Sequence, residues 1–172
     1  MTTTTTTARI YVACLASYNN GTLYGRWIDA DDDIDGKVQA MLDESPTPYA
    51  EEYAIHDYEG FCGIRLSESE SFDDVSALAE AIDEHGEAFP LFYDNISCDS
   101  IGDAITQFGD AYSGCYDSER DYAEEYVSNC YNLDDMGDLA NHIDYDSVAR
   151  EHFTNGMWSA RGDDGLHVFR NL

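Results

Sequence analysis

From Ser118 to Tyr131 the apolar residues Ala123, Tyr126, Val127 and Cys130 recur at helical spacing. At about 100° per residue, Asp121, Glu124, Glu125 and Ser128 fall on the opposite face. Ser118 and Asp121 form a capping box, so the pattern predicts a helix over 118–131. Phe72–His85 repeats the design. Val75, Leu78, Ala79 and Ile82 make the apolar stripe, Asp73, Glu80 and Glu84 lie outside, and Gly86 supplies the stop. Ser100 and Asp103 open a third helix with Ile101, Ala104, Ile105 and Phe108 facing inward. Two shorter helices are predicted over Asp135–Asn141 and Asp146–Phe153.

The N-terminal third has a different period. Arg9–Ala16 is read as a strand, followed across the turn-forming Asn19-Asn20-Gly21 by a second strand, Tyr24–Asp29. Ile34, Val38, Met41 and Leu42 mark a short helix ended by Ser45-Pro46-Thr47-Pro48, and Glu51–Tyr58 alternates as a third strand. At the other end, Met157–Ala160 and Leu166–Arg170 flank Arg161-Gly162-Asp163-Asp164-Gly165 as a hairpin. The pentapeptide Tyr-Ala-Glu-Glu-Tyr occurs at 49–53 and again at 122–126, with different flanks and different predicted structure, so no duplication is inferred. The expected fold is α+β, an elongated chain of three small units. These are an N-terminal α+β unit over 8–62, a helical middle over 63–100, and a C-terminal α+β unit over 101–172.

Charge changes the picture more than any motif does. Eight basic residues stand against 36 acids, a net charge of −28 in 172 residues. Residues 1–27 carry +2, 28–63 carry −10, 64–100 carry −9, 101–149 carry −11, and 150–172 are neutral. The acidity is spread over the middle of the chain and interleaved with apolar positions, and 13 Tyr are incompatible with a disordered acidic tail. One Lys and seven Arg make no basic patch for nucleic acid or an anionic membrane. No apolar run is long enough to span a bilayer. Met1 to Thr7 have neither a basic nor an apolar signal-peptide region, so a cytoplasmic protein is expected.

Catalytic and metal signatures are weak. Cys14, Cys62, Cys98, Cys115 and Cys130 are odd in number and form no C-x-x-C pair, which suggests neither a disulfide framework nor a zinc site. The five His show no metal spacing, and a thiolate nucleophile is disfavoured in so negative a field. There is no G-x-S-x-G, P-loop or dinucleotide fingerprint. Asp31, Asp33, Asp35 and Gly36 match part of a calcium loop, but Leu42 occupies the position that needs a bidentate Glu. No cofactor, no metal and no enzymatic activity are expected.

A folded, evenly acidic, Lys-poor chain presents a field like that of DNA. Duplex DNA carries one charge per about 1.7 Å, so 28 charges at that pitch cover roughly 48 Å, or about 14 base pairs. A chain of small units relieves the self-repulsion that a sphere would suffer. The candidate phosphate-mimicking surface comprises Asp31, Asp32, Asp33, Asp35, Glu51, Glu52 and Asp57 in the first unit and Asp73, Glu80 and Glu84 in the second. The third contributes Asp103, Asp110, Asp117, Asp121, Glu124, Glu125, Asp134, Asp135, Asp138, Asp144 and Asp146. The alternative is a halophile-type or calcium-binding acidic protein without mimicry, against which stand the neutral ends and the many Tyr. The neutral C-terminal stretch, with Phe153, Met157, Trp158, Val168 and Phe169, is the expected interface of a homodimer.

Two segments narrow the choice. Leu15-Ala16-Ser17-Tyr18-Asn19-Asn20-Gly21-Thr22-Leu23-Tyr24-Gly25-Arg26-Trp27 resembles the L-x-x-Y-N-x-G-x-L-x-G-x-W opening motif of the ArdA antirestriction family. Glu51-Glu52-Tyr53-Ala54-Ile55-His56-Asp57-Tyr58-Glu59 resembles that family's E-E-Y-A-I-H-D-Y-E almost letter for letter. Ile143-Asp144-Tyr145-Asp146 with Ala149-Arg150 is a weaker match, departing from a G-R-D-L-like stretch at Ala149 and at Glu151-His152. The resemblance implies a cytoplasmic, three-domain dimer that mimics bent B-form DNA. Such a protein occupies the DNA-binding groove of type I restriction–modification enzymes and protects incoming mobile DNA. On this reading Tyr18, Gly21, Gly25, Trp27, Tyr53 and Ile55 build the N-terminal fold, while the charges bind.

Overall fold

The computed structural model of the chain describes residues 7–172. The signal-peptide reading of the first residues lies, up to Thr6, outside them. The chain divides into two compact units, one ending at Gly102 and the other running from Asp103 to Leu172.

In the first unit β1 (Arg9–Cys14) is the central strand of an antiparallel sheet, flanked by β2 (Gly25–Asp29) and β3 (Tyr53–Glu59). Ile10, Val12, Ala13 and Cys14 of β1 are buried, since a central strand in a small unit has little surface left to show. The first strand ends two residues earlier than the sequence predicts. Leu15–Asn19 instead coils into a short helix, α1, and Gly21 at φ 78° completes the turn. The cause lies outside the segment: the buried Ser17 hydroxyl is 3.0 Å from that of Ser45 and 2.9 Å from that of Thr47. That tether draws the chain away from a tight hairpin. At Gly25 an added Cβ would sit 2.3 Å from the Val12 carbonyl oxygen, so the close approach of β1 and β2 requires glycine there.

Helix α2 (Ile34–Asp43) lays Ile34, Val38, Met41 and Leu42 into the core beneath the sheet. Helix α3 (Phe72–His85) has the predicted bounds, with Ser71 as N-cap and Gly86 at φ 59° as its stop. The sequence pattern gave no sign of α4 (Ala88–Asn95), which buries Ala88, Phe89, Pro90 and Phe92. Helix α4 packs on α3, and α3 reaches the sheet and the loop after it: the Ser76 hydroxyl donates to the Ala30 carbonyl at 2.8 Å, and Tyr53 stacks on Phe72 with centroids 5.2 Å apart.

The second unit takes its first residues from α5 (Ile101–Ala111) and builds a second antiparallel sheet of β4 (Tyr112–Tyr116), β6 (Leu166–Arg170) and β5 (Met157–Arg161), with β6 in the centre. The β5–β6 hairpin is as the sequence predicts; β4 is an addition to it. Helix α6 (Glu119–Cys130) and α8 (Tyr145–Asn155) pack together, joined by the one-turn α7 (Leu133–Met136) and a 3-10 turn over Gly137–His142. The predicted helix over Asp135–Asn141 is thus split, because Gly137 takes φ 54°. Tyr122, Met157 and Val168 form one cluster of the core, with Tyr116, Tyr126 and Phe153 packed around them. With two separate antiparallel sheets and eight α-helices among the described residues, the fold is α+β.

This aromatic core ties stability to high pH. Burial, with the Glu125 carboxylate as the next cause, pushes the Tyr116 phenol up to about 12, and burial raises Tyr112 and Tyr122 as well. In the unfolded chain these phenols ionise near 10. Stability from Tyr116 is therefore complete below pH 10 and lost as pH rises from 10 to about 12. Thermal unfolding followed from pH 9 to pH 12 is expected to show a steeper decline in the parent than in Tyr116→Phe; parallel declines would refute it.

Candidate functional site

None of the 36 carboxylates is buried. Of the 21 predicted surface acids, 19 are exposed, and the half-buried two are each held by a cation: Asp32 by Lys37, and Glu124 by Arg120 at 2.9 Å. Arg120 also reaches Asp146 at 2.9 Å, while Arg9 pairs with Glu59 and Arg26 with Glu44. Eight cations cannot neutralise 36 acids, so the surface keeps most of its negative charge.

Where the acids stand follows from the helices. Asp35, Asp73, Asp103, Asp121, Asp134, Asp135 and Asp146 occupy first turns, where the helix dipole favours a carboxylate. Asp33 caps α2 by accepting from the Gly36 N–H at 3.1 Å. Asp144 caps α8 by accepting from the Ser147 N–H at 3.0 Å, and the Ser147 hydroxyl and N–H hold its carboxyl below the usual range. Asp121 accepts from the Ser118 hydroxyl in the predicted capping box, and Glu125 lies 3.2 Å from the Tyr116 hydroxyl. On α3, Asp73, Glu80 and Glu84 lie along the face opposite the buried Val75 and Leu78. Glu51, Glu52, Asp57, Asp110, Asp117 and Asp138 are exposed in loops, on strands or at helix ends. Asp43, Asp83, Asp94 and Glu119, outside the candidate set, are equally exposed, and no local pattern separates them from it.

The calcium-like loop is otherwise employed. Strand β2 precedes it, Leu42 is in the core, Asp33 caps a helix and Asp32 binds Lys37. The carboxylates of Asp29, Asp31 and Asp32 do approach one another within 4.8 Å.

The predicted interface residues divide. Val168 and Phe169 are fully buried and Met157 nearly so, filling the C-terminal unit's own core; Phe153 and Trp158 are half-buried and keep some surface. Since β6 is central, the sheet's edges are β4 and β5.

The motif residues are mainly structural, but not wholly hidden. Ile55 is in the core, whereas Tyr18, Trp27 and Tyr53 are each more than two-fifths exposed. Tyr18 meets His56 edge-on at 5.0 Å, and Trp27 packs on Tyr11 with the Arg9 guanidinium 4.8 Å over its ring. Among the described residues no helix is long and apolar enough to cross a membrane.

Comparison with curated proteins finds no match. The family model described as antirestriction protein (ArdA) matches residues 10–163, which takes in both sheets' first strands, every helix and the β5 strand. A match over that span, on a chain whose acids all stand outside its core, places it: the chain belongs to the ArdA antirestriction protein family.

Proposed function

We propose that this chain blocks type I restriction–modification enzymes by offering carboxylates where DNA offers phosphates. The observation that carries the reading is the exclusion of all 36 acids from the core, in both units, with too few cations to neutralise them. Arg and Lys side chains that line a DNA-binding groove would meet Asp and Glu in charge-assisted hydrogen bonds. Steering by complementary charge would speed the encounter. The inhibitor acts in the cytoplasm, where incoming DNA is challenged, and turns nothing over. It works as a homodimer joined through its C-terminal unit, where the last 23 residues are formally neutral and two copies approach at least electrostatic cost. The β5 edge, with Trp158, supports that placement. Functionally the chain comprises three segments, 8–62, 63–100 and 101–172, of which the first two share a compact unit.

The test is competition. A type I enzyme's methyltransferase core is loaded with a labelled duplex bearing its site, and the protein is titrated in at several salt concentrations. Displacement of the duplex, with no metal or cofactor added for the protein, is expected. A ternary complex in which protein and duplex remain bound together would overturn the reading. Thermal unfolding at low salt addresses the halophile alternative, which requires the chain to unfold there; a folded chain supports mimicry.

A further inference from the structure

Strands β4 and β6 pair so that Cys115 stands directly opposite His167. Cross-strand partners project to the same face of a sheet, so the thiol and the imidazole are neighbours. Asp164, in the turn before β6, folds back onto them: its Oδ1 is 2.8 Å from His167 Nε2 and 3.8 Å from Cys115 Sγ. The three donor atoms all lie within 4.8 Å of one another. His167 is only 2 % exposed, whereas Cys115 and Asp164 face solvent, which gives a fixed inner donor and an open path from outside. On the inner side the Tyr112 hydroxyl is 3.1 Å from His167 Nδ1 and holds the ring with Nε2 outward. At Gly165 an added Cβ would sit 2.5 Å from Cys115 Sγ, so the turn passes the thiol only because that position is glycine.

We propose that Cys115, Asp164 and His167 form a binding site for a thiophilic divalent cation, Zn2+. The donor set is one sulfur, one imidazole nitrogen and one carboxylate oxygen, which suits zinc and does not suit calcium or magnesium, cations that require six or more oxygens. Ligands about 2.0–2.3 Å from a tetrahedral zinc lie roughly 3.3–3.7 Å apart. The 2.8 Å and 3.8 Å separations need to change by only about half an ångström, and Asp164 lies on an exposed turn. Water completes the fourth position. Binding exchanges protons for the metal: the Cys115 S–H bond breaks as the S–Zn bond forms and that proton leaves to solvent, while the proton that His167 Nε2 donates to Asp164 passes by way of solvent to Nδ1, which then donates to the Tyr112 hydroxyl. The charge of −28 that disfavours a lone thiolate favours a dication beside it. Tyr112 is the supporting residue that orients the imidazole. Cysteine spacing gave no hint of this, because Cys115 and Asp164 are 49 residues apart.

Cobalt(II) is the probe, since it takes zinc's geometry and colours a thiolate site. Full-length protein, reduced by a non-thiol reductant, is titrated with Co2+ and then with Zn2+ in excess Ca2+. The expected result is a thiolate-to-cobalt charge-transfer band with tetrahedral ligand-field absorption, abolished by Zn2+ and absent in Cys115→Ser. Zn2+ should raise the thermal midpoint of the parent and not that of Cys115→Ser. Asp164→Asn should bind at least about tenfold more weakly, and Tyr112→Phe about 10–100-fold more weakly. Both Cys115 and Asp164 are exposed, so these variants should keep the parental far-ultraviolet circular dichroism, and His167, being buried, is left intact. A parent without the charge-transfer band overturns the site. So does an equal band in Cys115→Ser, which assigns the thiolate to another cysteine. Equal Zn2+ binding by parent and Cys115→Ser assigns the metal to surface carboxylates and overturns it too.

Discussion

Phe169→Ala should unfold the C-terminal unit before any other single substitution does. Phe169 is fully buried on the central strand of the second sheet. Trp158 stacks on it at 4.3 Å, and Tyr112 and Phe108 meet it at 5.5 Å and 6.3 Å. Truncating a buried Phe costs about 3–5 kcal/mol in lost burial and in the cavity left behind. The unit spans only residues 103–172, and small domains have few kcal/mol in reserve, so a loss of that size removes most of its stability. Denaturant unfolding followed by near-ultraviolet circular dichroism is the measurement, with Tyr49→Ala as the contrast. Tyr49 is 97 % exposed and its loss should cost no more than about 0.5 kcal/mol. If the two variants unfold within about 1 kcal/mol of each other, the assignment of Phe169 to the core is wrong.

Neutralising one whole helical face should weaken inhibition far more than neutralising any one acid. Asp73, Glu80 and Glu84 recur at intervals of seven and four along α3, which places them within about 40° of one another around its axis. Each alone is a solvent-exposed charge among many, worth on the order of 1 kcal/mol or less to a partner. The triple variant Asp73→Asn, Glu80→Gln, Glu84→Gln removes a contiguous strip, and inhibition of a type I enzyme should fall at least about tenfold, equivalent to about 1.4 kcal/mol. Its fold should survive, because the weaker N-terminal dipole interaction of Asp73 is offset by relief of repulsion within the −28 surface. Restriction assays on parent, single and triple variants decide the matter. A triple variant as potent as the parent would remove α3 from the binding surface, and a single variant that lost all inhibition while remaining folded would point to a discrete site.

What could be read along the chain was what depends on neighbours in sequence. Helices α3 and α6 were legible because an apolar stripe, a Ser cap and an acidic outer face all reported the same period. The β5–β6 hairpin was legible because its turn sits between two short apolar strands. The acids were placed outside on the same ground: a carboxylate does not enter a core without a partner, and eight cations could partner few of them. Helix α4 was not legible. Its Ala-Phe-Pro-Leu-Phe-Tyr run is apolar on nearly every side, so it has no polar face to set a period.

Thus the α+β class, the apolar stripes of α3 and α6, the outward acids and the family motifs were determined by the sequence itself, since each rests on local spacing or on the cost of burying charge. The tertiary structure alone decided the rest. Strand β4, whose Ser113-Gly114-Cys115 has little strand propensity and whose Gly114 sits at φ 130°, exists because β6 offers it a row of hydrogen-bonding partners. Helix α1 exists because Ser17 is tied to Ser45 and Thr47 across nearly thirty residues. Val168 and Phe169, expected at an interface, are buried within their own unit because β6 is its central strand. The convergence of Cys115, Asp164 and His167 likewise depends on strand register, and register is fixed by which faces can be buried together, a property of the packed sheet that no window of sequence contains.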